Sequence, residues 1–448
     1  MARMAVALQT LPRPRALPFV GALPTLLTQQ FAALDRWQRE LGGVIEVPFG
    51  PTSFVLLTEA DVAHEMLVDK ARNFVRGGPA WDSLATVFGN GLVGSEGELW
   101  RERRRMIQPH LHHDAIRQLI SSMSSAIDEV CELWSKRARS DRPIDLQHEV
   151  AQITMAVILR VLFGTHMSDD DYQRAAVSLR HAVDSIAVGW LTFKLPAWVP
   201  VPGRDRFRRA IADVDRMVSE LAEQRRASKR YTDDLLGILV GLHEQGALDA
   251  KGLRDEAVSL FVAGYETTAN TLGFAFWELA KRPELCAELR SEAASLPSSE
   301  AIDLASVAQL TRADQVFRES LRMYPGALWL PRIALEDDTL GGLPIRKGTT
   351  AVVSLYSVHR DPKAWDQPDQ FRPERHTRAN HDRHAWMPFG LGQHMCVGQR
   401  LALAEGPLIL ARLAQRFDYE ALADRSPKMR MSTALKSANG IWVRSNPR

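Results

Sequence analysis

Residues 388–398 read PFGLGQHMCVG, and a helical run over residues 399–417 follows them at once. Two glycines, Gly390 and Gly392, let the backbone turn tightly and approach a flat ligand closely. Cys396 stands just before the predicted helix, where unpaired N–H groups and the positive end of the helix dipole favour a thiolate. The stretch therefore predicts a cysteine ligand on a tight loop, although most free cysteines are simply small buried hydrophobes.

The composition is that of an ordinary globular protein. Of the 448 residues, 45% are hydrophobic and 25% are charged, which excludes fibrous and wholly disordered chains. The net charge is only +2, so no basic field indicates a nucleic-acid partner. The cysteines Cys131, Cys286 and Cys396 are few and widely spaced, which suits a reducing compartment rather than a disulfide framework.

Hydrophobic periodicity predicts a mainly α protein with a small β portion. Apolar residues recur at three- and four-residue spacings over residues 114–139, 146–163 and 204–230. Strand-like runs are expected only near the two ends of the chain, at residues 44–47, 53–57, 350–355 and 441–444. No repeat or low-complexity linker indicates a boundary, so we expect a single catalytic domain over residues 1–448 with a proline-rich lead at about 1–25.

No transmembrane segment is predicted. Four prolines interrupt the apolar N-terminus, which has no h-region followed by a small-residue cleavage site. Residues 257–277 are long enough to span a bilayer, but Glu266, Asn270 and several threonines near their middle would be costly there. We therefore expect a buried helix and a cytoplasmic protein.

Several common catalytic motifs are absent from the sequence. The run Gly390-Leu391-Gly392 opens like a dinucleotide-binding fingerprint, but Met395 occupies the position of the third glycine and no βαβ unit is predicted. There is no Walker A loop, HExxH pair or G-x-S-x-G elbow. The sequence therefore does not contain the motifs needed for phosphoryl transfer, zinc-dependent hydrolysis or α/β-hydrolase chemistry.

Two further patterns place polar groups on helices. Glu319 and Arg322 stand at positions i and i+3, so their side chains can meet on one face. The run AGYETT at residues 263–268 places Glu266 and Thr267 in the middle of a long apolar helix, where they can hold water. Taken alone, the first pattern is usually an exposed helical pair, and the second can merely bond to backbone carbonyls.

Together these motifs resemble those of the cytochrome P450 family, in its soluble bacterial type. The heme-binding loop of that family has an aromatic residue, two glycines, a basic residue, the cysteine and another glycine at the intervals of Phe389, Gly390, Gly392, His394, Cys396 and Gly398. The family also carries the E-x-x-R pair and the [AG]-G-x-[DE]-T-[TS] pattern. The resemblance covers essentially the whole chain and implies the cytochrome P450 fold.

The resemblance implies heme b as cofactor and dioxygen as co-substrate. Cys396 would ligate the heme iron, as the metal ligand of the protein, and Phe389 would pack beside the sulfur above the turn at Gly390. Four residues at the family's positions would bind heme, chiefly through its propionates: Trp100, Arg104, Arg332 and His394.

The resemblance also assigns roles near the iron and in the scaffold. Thr267 would order a chain of water molecules, and Glu266 would relay protons towards the iron. Glu319, Arg322 and Arg375 would form a buried charge network that holds the heme loop. The family usually has Phe or Trp at the position of His376, a departure that leaves the network itself intact.

The predicted function is heme-thiolate monooxygenation, in which one atom of dioxygen enters an apolar organic substrate by hydroxylation or epoxidation. The alternatives are a peroxide-driven or rearranging enzyme of the same fold and a non-catalytic heme sensor. The presence of Glu266 and Thr267 argues against the first alternative. A sensor would not need proton delivery, and turnover of reduced cofactor in the presence of substrate separates it from the enzyme. Largely apolar pocket walls are implied at Trp81, Leu84, Val87, Phe88, Ala263, Thr267 and residues 190–195, 327–330 and 433–435.

Electrons are expected from a separate ferredoxin or flavodoxin with its NAD(P)H-dependent reductase. Basic residues on the face behind Cys396 would meet such an acidic partner, and the candidates are Arg400, Arg103 and Arg105. We expect no nucleic acid among the partners.

Overall fold

The computed structural model describes residues 10–137, 143–164, 178, 203–229, 234–377 and 384–448. Its chain divides into two compact units, each built from segments that are far apart in sequence. Unit 1 comprises Met1–Gly78, Ala327–Gln370 and Ala379–Met395, and unit 2 comprises Pro79–Gly326, Phe371–Arg378 and Cys396–Arg448.

A five-stranded sheet forms the centre of unit 1. Its strands, in the order β1-β2-β8-β5-β3, are β1 (Val44–Phe49), β2 (Thr52–Leu57), β8 (Thr350–Ser354), β5 (Trp329–Ala334) and β3 (Phe74–Val75). Neighbouring strands are antiparallel except β2 and β8, which run parallel. Val55 and Leu57 of β2 share a face with Ala351 and Val353 of β8, because side chains two residues apart point the same way, and all four belong to the buried core.

The other elements of unit 1 are short. They are α1 (Leu23–Gln29), α2 (Phe31–Leu41), α3 (Ala60–His64), α14 (Leu355–Val358) and the hairpin of β6 (Asp338–Leu340) and β7 (Leu343–Ile345). The hairpin turns through Gly341 and Gly342, both at positive φ, as a two-residue turn of the tightest type requires. α2 buries Phe31, Leu34 and Trp37 at helical spacing.

Unit 2 is built from α-helices. They are α4 (Pro79–Phe88), α5 (Gly97–Ile107), α6 (His113–Arg137), α7 (Leu146–Phe163), α8 (Arg204–Ser228), α9 (Leu235–Glu244), α10 (Ala250–Ala280), α11 (Pro283–Ala293), α12 (Leu304–Ala308), α13 (Thr311–Met323) and α15 (Gln399–Arg416). The side chain of Asp249 caps α10 by accepting a hydrogen bond from the Gly252 N–H, a device worth about 1 kcal/mol. α10 contacts α4, α7, α9 and α13, so most of its side chains are buried.

Two small sheets complete unit 2. One is antiparallel in the order β4-β12-β9, with β4 (Ile144–Asp145), β12 (Trp442–Pro447) and β9 (Phe417–Ala421). The other is the antiparallel pair of β10 (Met429–Met431) and β11 (Leu435–Ser437). α10 contacts β9, β11 and β12, so the hairpin β10–β11 lies beside the central helix.

The architecture confirms the predicted class, mainly α with a small β portion. α6, α7 and α8 correspond to the predicted helices, and β1, β2, β8 and β12 correspond to the predicted strands. The expectation that strands occur only near the chain ends is wrong, because β4 lies at Ile144–Asp145. The sequence analysis also does not predict β5, since Pro331 stands in its middle and proline normally indicates an edge strand or a loop.

One helix in the described ranges, α7, is long and apolar enough to cross a membrane. Of its length, 67% is buried inside the protein, as in the core helix of a globular domain. The predicted helix over residues 257–277 is part of α10, and both Glu266 and Asn270 are buried within the protein there.

α15 carries a buried carboxyl group. Glu405 is 1% exposed, and its Oε1 has no hydrogen-bond partner. Burial raises the pKa of Glu405 to about 8 from its ordinary 4.5. The folded protein therefore holds a proton that the unfolded chain releases, so this group stabilises the fold fully below pH 4.5 and loses that contribution as the pH rises through 8.

Replacing Glu405 by Gln should weaken the pH dependence of stability. In the wild type, the folded protein keeps the Glu405 proton that the unfolded chain releases, which lowers the free energy of unfolding by about 2 kcal/mol between about pH 6 and pH 8, whereas a neutral amide contributes no such change. Thermal unfolding midpoints of both proteins at the two pH values measure the difference. Glu284→Gln, at an exposed position of α11, is the control. Equal falls in the wild type and Glu405→Gln would contradict the assignment.

Candidate active site

The glycine-rich loop before Cys396 lies in unit 1 and has the backbone that its glycines predict. Gly390 and Gly392 both adopt left-handed conformations, with φ of 72° and 70°. A Cβ at Gly392 would lie 2.2 Å from the backbone oxygen of Leu67, so no side chain fits there. Phe389 is half-buried, and its ring packs edge-on against Trp386 with 6.1 Å between centroids. The loop is therefore held in one shape by backbone geometry and by one aromatic contact.

Two basic residues of the predicted heme site also lie in unit 1. Arg332, in the middle of β5, is 5% exposed, and its Nη1 donates to the backbone oxygen of Pro331 at 2.7 Å. His394 is half-buried and ends a short 3₁₀ turn, Gly392–His394. Arg332 and His394 thus both belong to regular secondary structure, a strand and a 3₁₀ turn.

Cys396 opens the last segment of unit 2. Its side chain is exposed, yet burial raises the pKa of its thiol, while hydrogen bonds from the Gly398 and Gln399 N–H groups and the charge of Arg104 lower it. The Cys396 thiol is therefore surrounded by many protein atoms, which desolvate it, while one side of it borders open space. N–H donors directed at the sulfur stabilise a thiolate.

α5 places Trp100 and Arg104 one helical turn apart. Trp100 is 7% exposed, and the Nε of Arg104 donates to Gln108 Oε1 at 2.7 Å. Burial lowers the pKa of the Arg104 guanidinium, and the charge of Cys396 partly offsets that effect. The structure therefore brings Arg104 and Cys396 into one electrostatic environment, where a guanidinium suits a carboxylate ligand.

Arg103 does not have the exposure that the docking prediction requires. Its side chain is 11% exposed, and its Nε lies 3.4 Å from Oε1 of the fully buried Glu256. Arg101 and Arg105 are 56% and 74% exposed and pair with Glu98. Residues two positions apart point to different sides of a helix, so Arg103 faces inwards, and the prediction is wrong for this residue.

Glu256 and its neighbour Asp255 also hold the loop between α4 and α5. The N–H of Leu92 donates to Glu256 Oε2 at 3.0 Å, and the N–H of Asn90 donates to Asp255 Oδ2 at 2.8 Å. A Cβ at Gly89, which has a φ of 55°, would lie 2.1 Å from the Asp255 carboxyl group. The backbone of this loop is therefore bound directly to α10.

The centre of α10 contains the predicted catalytic pair. Over residues 255–276 every residue is buried except the exposed Ala263 and the half-buried Gly264 and Thr267. The hydroxyl of Thr267 donates to the backbone oxygen of Ala263 at 2.8 Å. A Cβ at Gly326 would lie 2.8 Å from the Cβ of Thr267, so only glycine allows this approach. One turn of an otherwise buried helix therefore faces open space.

Glu266 lies on a different side of α10 from Thr267. Its Oε1 is 2.5 Å from the Nζ of Lys436 on β11, and the two side chains are 12% and 5% exposed. Consecutive helical residues differ by about 100° in direction. The structure thus places Glu266 and Thr267 next to each other along the helix but not on one face.

The Glu319 carboxylate is the centre of a buried charge network. Arg322 donates to it twice, at 2.9 and 2.8 Å, and Arg375 Nε lies 3.3 Å away. The Arg372 N–H donates at 2.9 Å, and His376 Nε2 lies 3.0 Å from Oε2. Burial alone raises the pKa of Glu319, but the hydrogen bonds from Arg322 and His376 outweigh it and lower the pKa to about 2.

Comparison with known proteins decides the family. A family model described as cytochrome P450 matches residues 11–443. The chain belongs to the cytochrome P450 family. It is therefore an oxidoreductase, a heme-thiolate monooxygenase that uses heme b and dioxygen and acts on an apolar organic substrate.

Curated relatives of this cytochrome P450 come from bacteria and plants. It is 31% identical over 383 residues to cyclooctat-9-en-7-ol 5-monooxygenase of Streptomyces melanosporofaciens, covering 84% of this chain and 82% of the relative. It is 27% identical over 428 residues to pentalenene oxygenase of Streptomyces avermitilis, covering 92% of each. It is 28% identical over 419 residues to protein LUTEIN DEFICIENT 5, chloroplastic, of Arabidopsis thaliana, covering 88% of this chain and 69% of the relative.

The residues of this cytochrome P450 fit a heme. The exposed, desolvated Cys396 receives N–H groups at its sulfur. Ala263 is exposed and Thr267 half-buried, so this turn of α10 borders open space. Cysteine thiolates of this kind ligate heme iron.

Sequence reasoning misses two charged contacts of this cytochrome P450. Lys436 pairs with Glu266 although 170 positions separate them, and no periodicity signals that contact. His376 also contacts Glu319. The sequence marks this position as unusual, because the family usually has Phe or Trp there. The predicted pocket residues 190–195 lie outside the described residues.

Removing Arg322 should destabilise this cytochrome P450 strongly. Arg322→Met leaves the buried Glu319 carboxylate without its main partner, which costs about 3–5 kcal/mol. His376→Phe, which removes one hydrogen bond to a charged group, should cost about 2 kcal/mol. Thermal unfolding at neutral pH measures both. The control Arg318→Met removes a partly exposed pair with Asp314 on the same helix and should cost less than about 1 kcal/mol. Equal losses of stability in Arg322→Met and Arg318→Met would refute the prediction that the buried pair contributes more than the exposed one.

Proposed function

We propose that this cytochrome P450 hydroxylates or epoxidises a terpenoid. The support is the pair of bacterial relatives named for oxidising the alkenes pentalenene and cyclooctat-9-en-7-ol. Small or apolar residues in this turn of α10 and on the hairpin β10–β11, which contacts α10, are consistent with such a substrate. Ala263 and Gly264 are small and apolar, and Ala434 and Leu435 on the adjacent hairpin are buried. An apolar lining favours an apolar substrate but does not itself select a terpenoid.

Heme binding is assigned to seven residues. Cys396 would ligate the iron, Phe389 would shield its sulfur from water, and Gly390 would give the loop its turn. The propionates would be bound by Trp100, Arg104, Arg332 and His394. When bound, the heme activates dioxygen for insertion of one oxygen atom into the substrate, and Glu266 and Thr267 act beside it.

Thr267 and Glu266 are the proposed catalytic residues. Thr267 presents its hydroxyl at the open turn of α10, where it can hold a water molecule while bonded to Ala263. Glu266 is an acid adjacent in sequence, and its carboxyl can accept a proton from water and pass it on. An acid and an alcohol at this point favour a monooxygenase over a peroxide-driven enzyme, because peroxide-using relatives tend to lose the pair. They also favour it over a heme sensor, which requires no proton delivery.

Spectroscopy and ligand binding test the proposal. The reduced protein exposed to carbon monoxide should give a strongly red-shifted Soret band that Cys396→Ser lacks and that the buried control Cys286→Ser keeps. Pentalenene and cyclooctat-9-en-7-ol should shift the spin state of the heme at lower concentrations than dodecanoic acid. Tighter binding of the fatty acid would refute the terpenoid assignment, and an unchanged band in Cys396→Ser would refute the thiolate.

We propose a separate electron donor, a ferredoxin or flavodoxin reduced by an NAD(P)H-dependent reductase. Arg400, four residues after Cys396, is exposed and lines a cavity of about 580 Å³ in unit 2 together with Arg318 and His113. Arg105 on α5 is a further exposed cation. Cations around a recess attract an acidic partner and set its orientation.

Charge reversal should separate docking from chemistry. Arg400→Glu and Arg105→Glu should slow ferredoxin-driven turnover about tenfold at low ionic strength, because the encounter loses its attraction. Reduction by dithionite should stay unchanged. Arg208→Glu, exposed on α8, is the matched control and should behave as the wild type. Unchanged ferredoxin-driven rates in both variants would exclude this docking face.

Unit 1 and unit 2 together are proposed to form one catalytic domain. The family match extends through both of them, from residue 11 to residue 443. We also propose a cytoplasmic location, which the reduced state expected for three scattered cysteines supports.

A further inference from the structure

The recess beside Arg400 has the size of a small-molecule site. Its volume is about 580 Å³, and ligand pockets in proteins commonly measure about 300–1,000 Å³. Its walls come from α6, α12, α13, α15 and residues 376–377, all of which belong to unit 2. The described residues that line it include none of those proposed to bind heme, to act in catalysis or to form the substrate pocket.

Most of the lining is apolar. α15 contributes Leu403, Ala404 and Pro407, and α12 contributes Leu304 and Val307. All five side chains are buried or half-buried, so together they form an apolar floor. A floor of this kind favours an apolar group over water.

The charged lining is mainly cationic. Asp314, the one acid among the described lining residues, pairs with Arg318 at 2.6 Å. Arg400 forms no hydrogen bond or ion pair with any described residue. It also stands in the first turn of α15, where the helix dipole disfavours a cation. A negatively charged group at Arg400 would compensate its charge, and a guanidinium suits such a group well.

The recess also borders the segment that Glu319 holds in place. His376 lines the recess, and its Nε2 lies 3.0 Å from Oε2 of Glu319. Thr377, the next residue, lines the recess as well. A molecule that binds there would contact this segment only in the folded protein, and it would therefore stabilise residues 372–377.

We propose that the recess binds a small amphipathic anion. Its apolar part lies against α12 and α15, and its acidic group lies at Arg400. Because Arg400 also belongs to the face proposed for the electron donor, the bound anion competes with the donor and slows electron delivery. The binding site is independent of the proposed substrate, whereas the competition rests on the proposed docking face.

Binding of naphthalene-2-sulfonate to the holoprotein tests the site. This probe has a flat apolar ring system and one permanent negative charge, and isothermal titration measures its affinity. Arg400→Ala should weaken binding about tenfold, because one contact between charged groups is lost. Ala308→Trp should weaken it at least about tenfold, because the indole fills the recess from an exposed position of α12. The uncharged naphthalene-2-sulfonamide should bind about tenfold more weakly than the sulfonate.

Ala305→Trp is the matched control for Ala308→Trp. Ala305 is also exposed on α12, but it does not line the recess. Ala305→Trp should therefore bind the probe as the wild type does. Equal thermal unfolding midpoints of the two unliganded tryptophan variants would attribute a loss of binding in Ala308→Trp to the filled recess rather than to misfolding.

Hydrogen exchange locates the bound probe. In the wild type, the probe should slow amide exchange in residues 372–377, because binding stabilises the segment that borders the recess. In Ala308→Trp the same concentration should leave that exchange unchanged. The Soret band should not shift, since the probe does not reach the heme.

Heme reduction tests the competition with the electron donor. The probe should slow ferredoxin-driven reduction of the wild type at low ferredoxin concentration, and excess ferredoxin should restore the rate. Reduction by dithionite should stay unchanged. In Ala308→Trp the probe should have no effect on the ferredoxin-driven rate.

Several outcomes would overturn the inference. Equal affinities of the wild type, Ala308→Trp and Arg400→Ala would remove the site, and so would a sulfonamide that binds as tightly as the sulfonate. A lack of binding at about 1 mM probe would also remove it. Binding without competition would overturn the inhibitory role alone. Arg400→Glu without any probe tests the docking face itself, so failure of that proposal is recognised separately.

Discussion

The buried carboxylate of Glu319 is the constraint on which unit 2 depends most. A fully buried charge of this kind is tolerable only when its lone pairs are satisfied. Its donors come from α13 itself and from residues 372–376, which are distant in sequence. The Glu319 carboxylate therefore joins α13 to residues 372–376, which form little regular structure. These hydrogen bonds fix the backbone of residues 372–376, which belong to no sheet or long helix.

The helices were predictable because burial on one side imposes a three- to four-residue period. α6, α7 and α8 follow that period directly. β5 was not predictable in the same way, since its proline and arginine are read as loop residues and its pairing with β8 arises only in the tertiary structure. β4, of two residues, is too short for any periodic signal. The strands that were predicted are those rich in β-branched and aliphatic residues.

In the candidate site, too, some residues were predictable from the sequence and others were not. Cys396, Glu266 and Thr267 were identified because fixed spacings carry the chemistry within one short segment. Lys436 and the inward direction of Arg103 depend on which helix face meets which neighbour, and spacing along the chain contains no such information. His376 is intermediate, because the sequence shows an unusual residue without showing its partner.

The attachment of the loop over residues 89–92 to α10 affects how the enzyme can be redesigned. The main chain there is bonded to Asp255 and Glu256, and neither Gly89 nor Gly91 has room for a methyl group. Side chains introduced at these two glycines would collide with α10, so substitutions there should destabilise the fold. Trp81 and Leu84 on the preceding helix are only half-buried. A library aimed at new substrates would diversify those two positions and leave the loop unaltered.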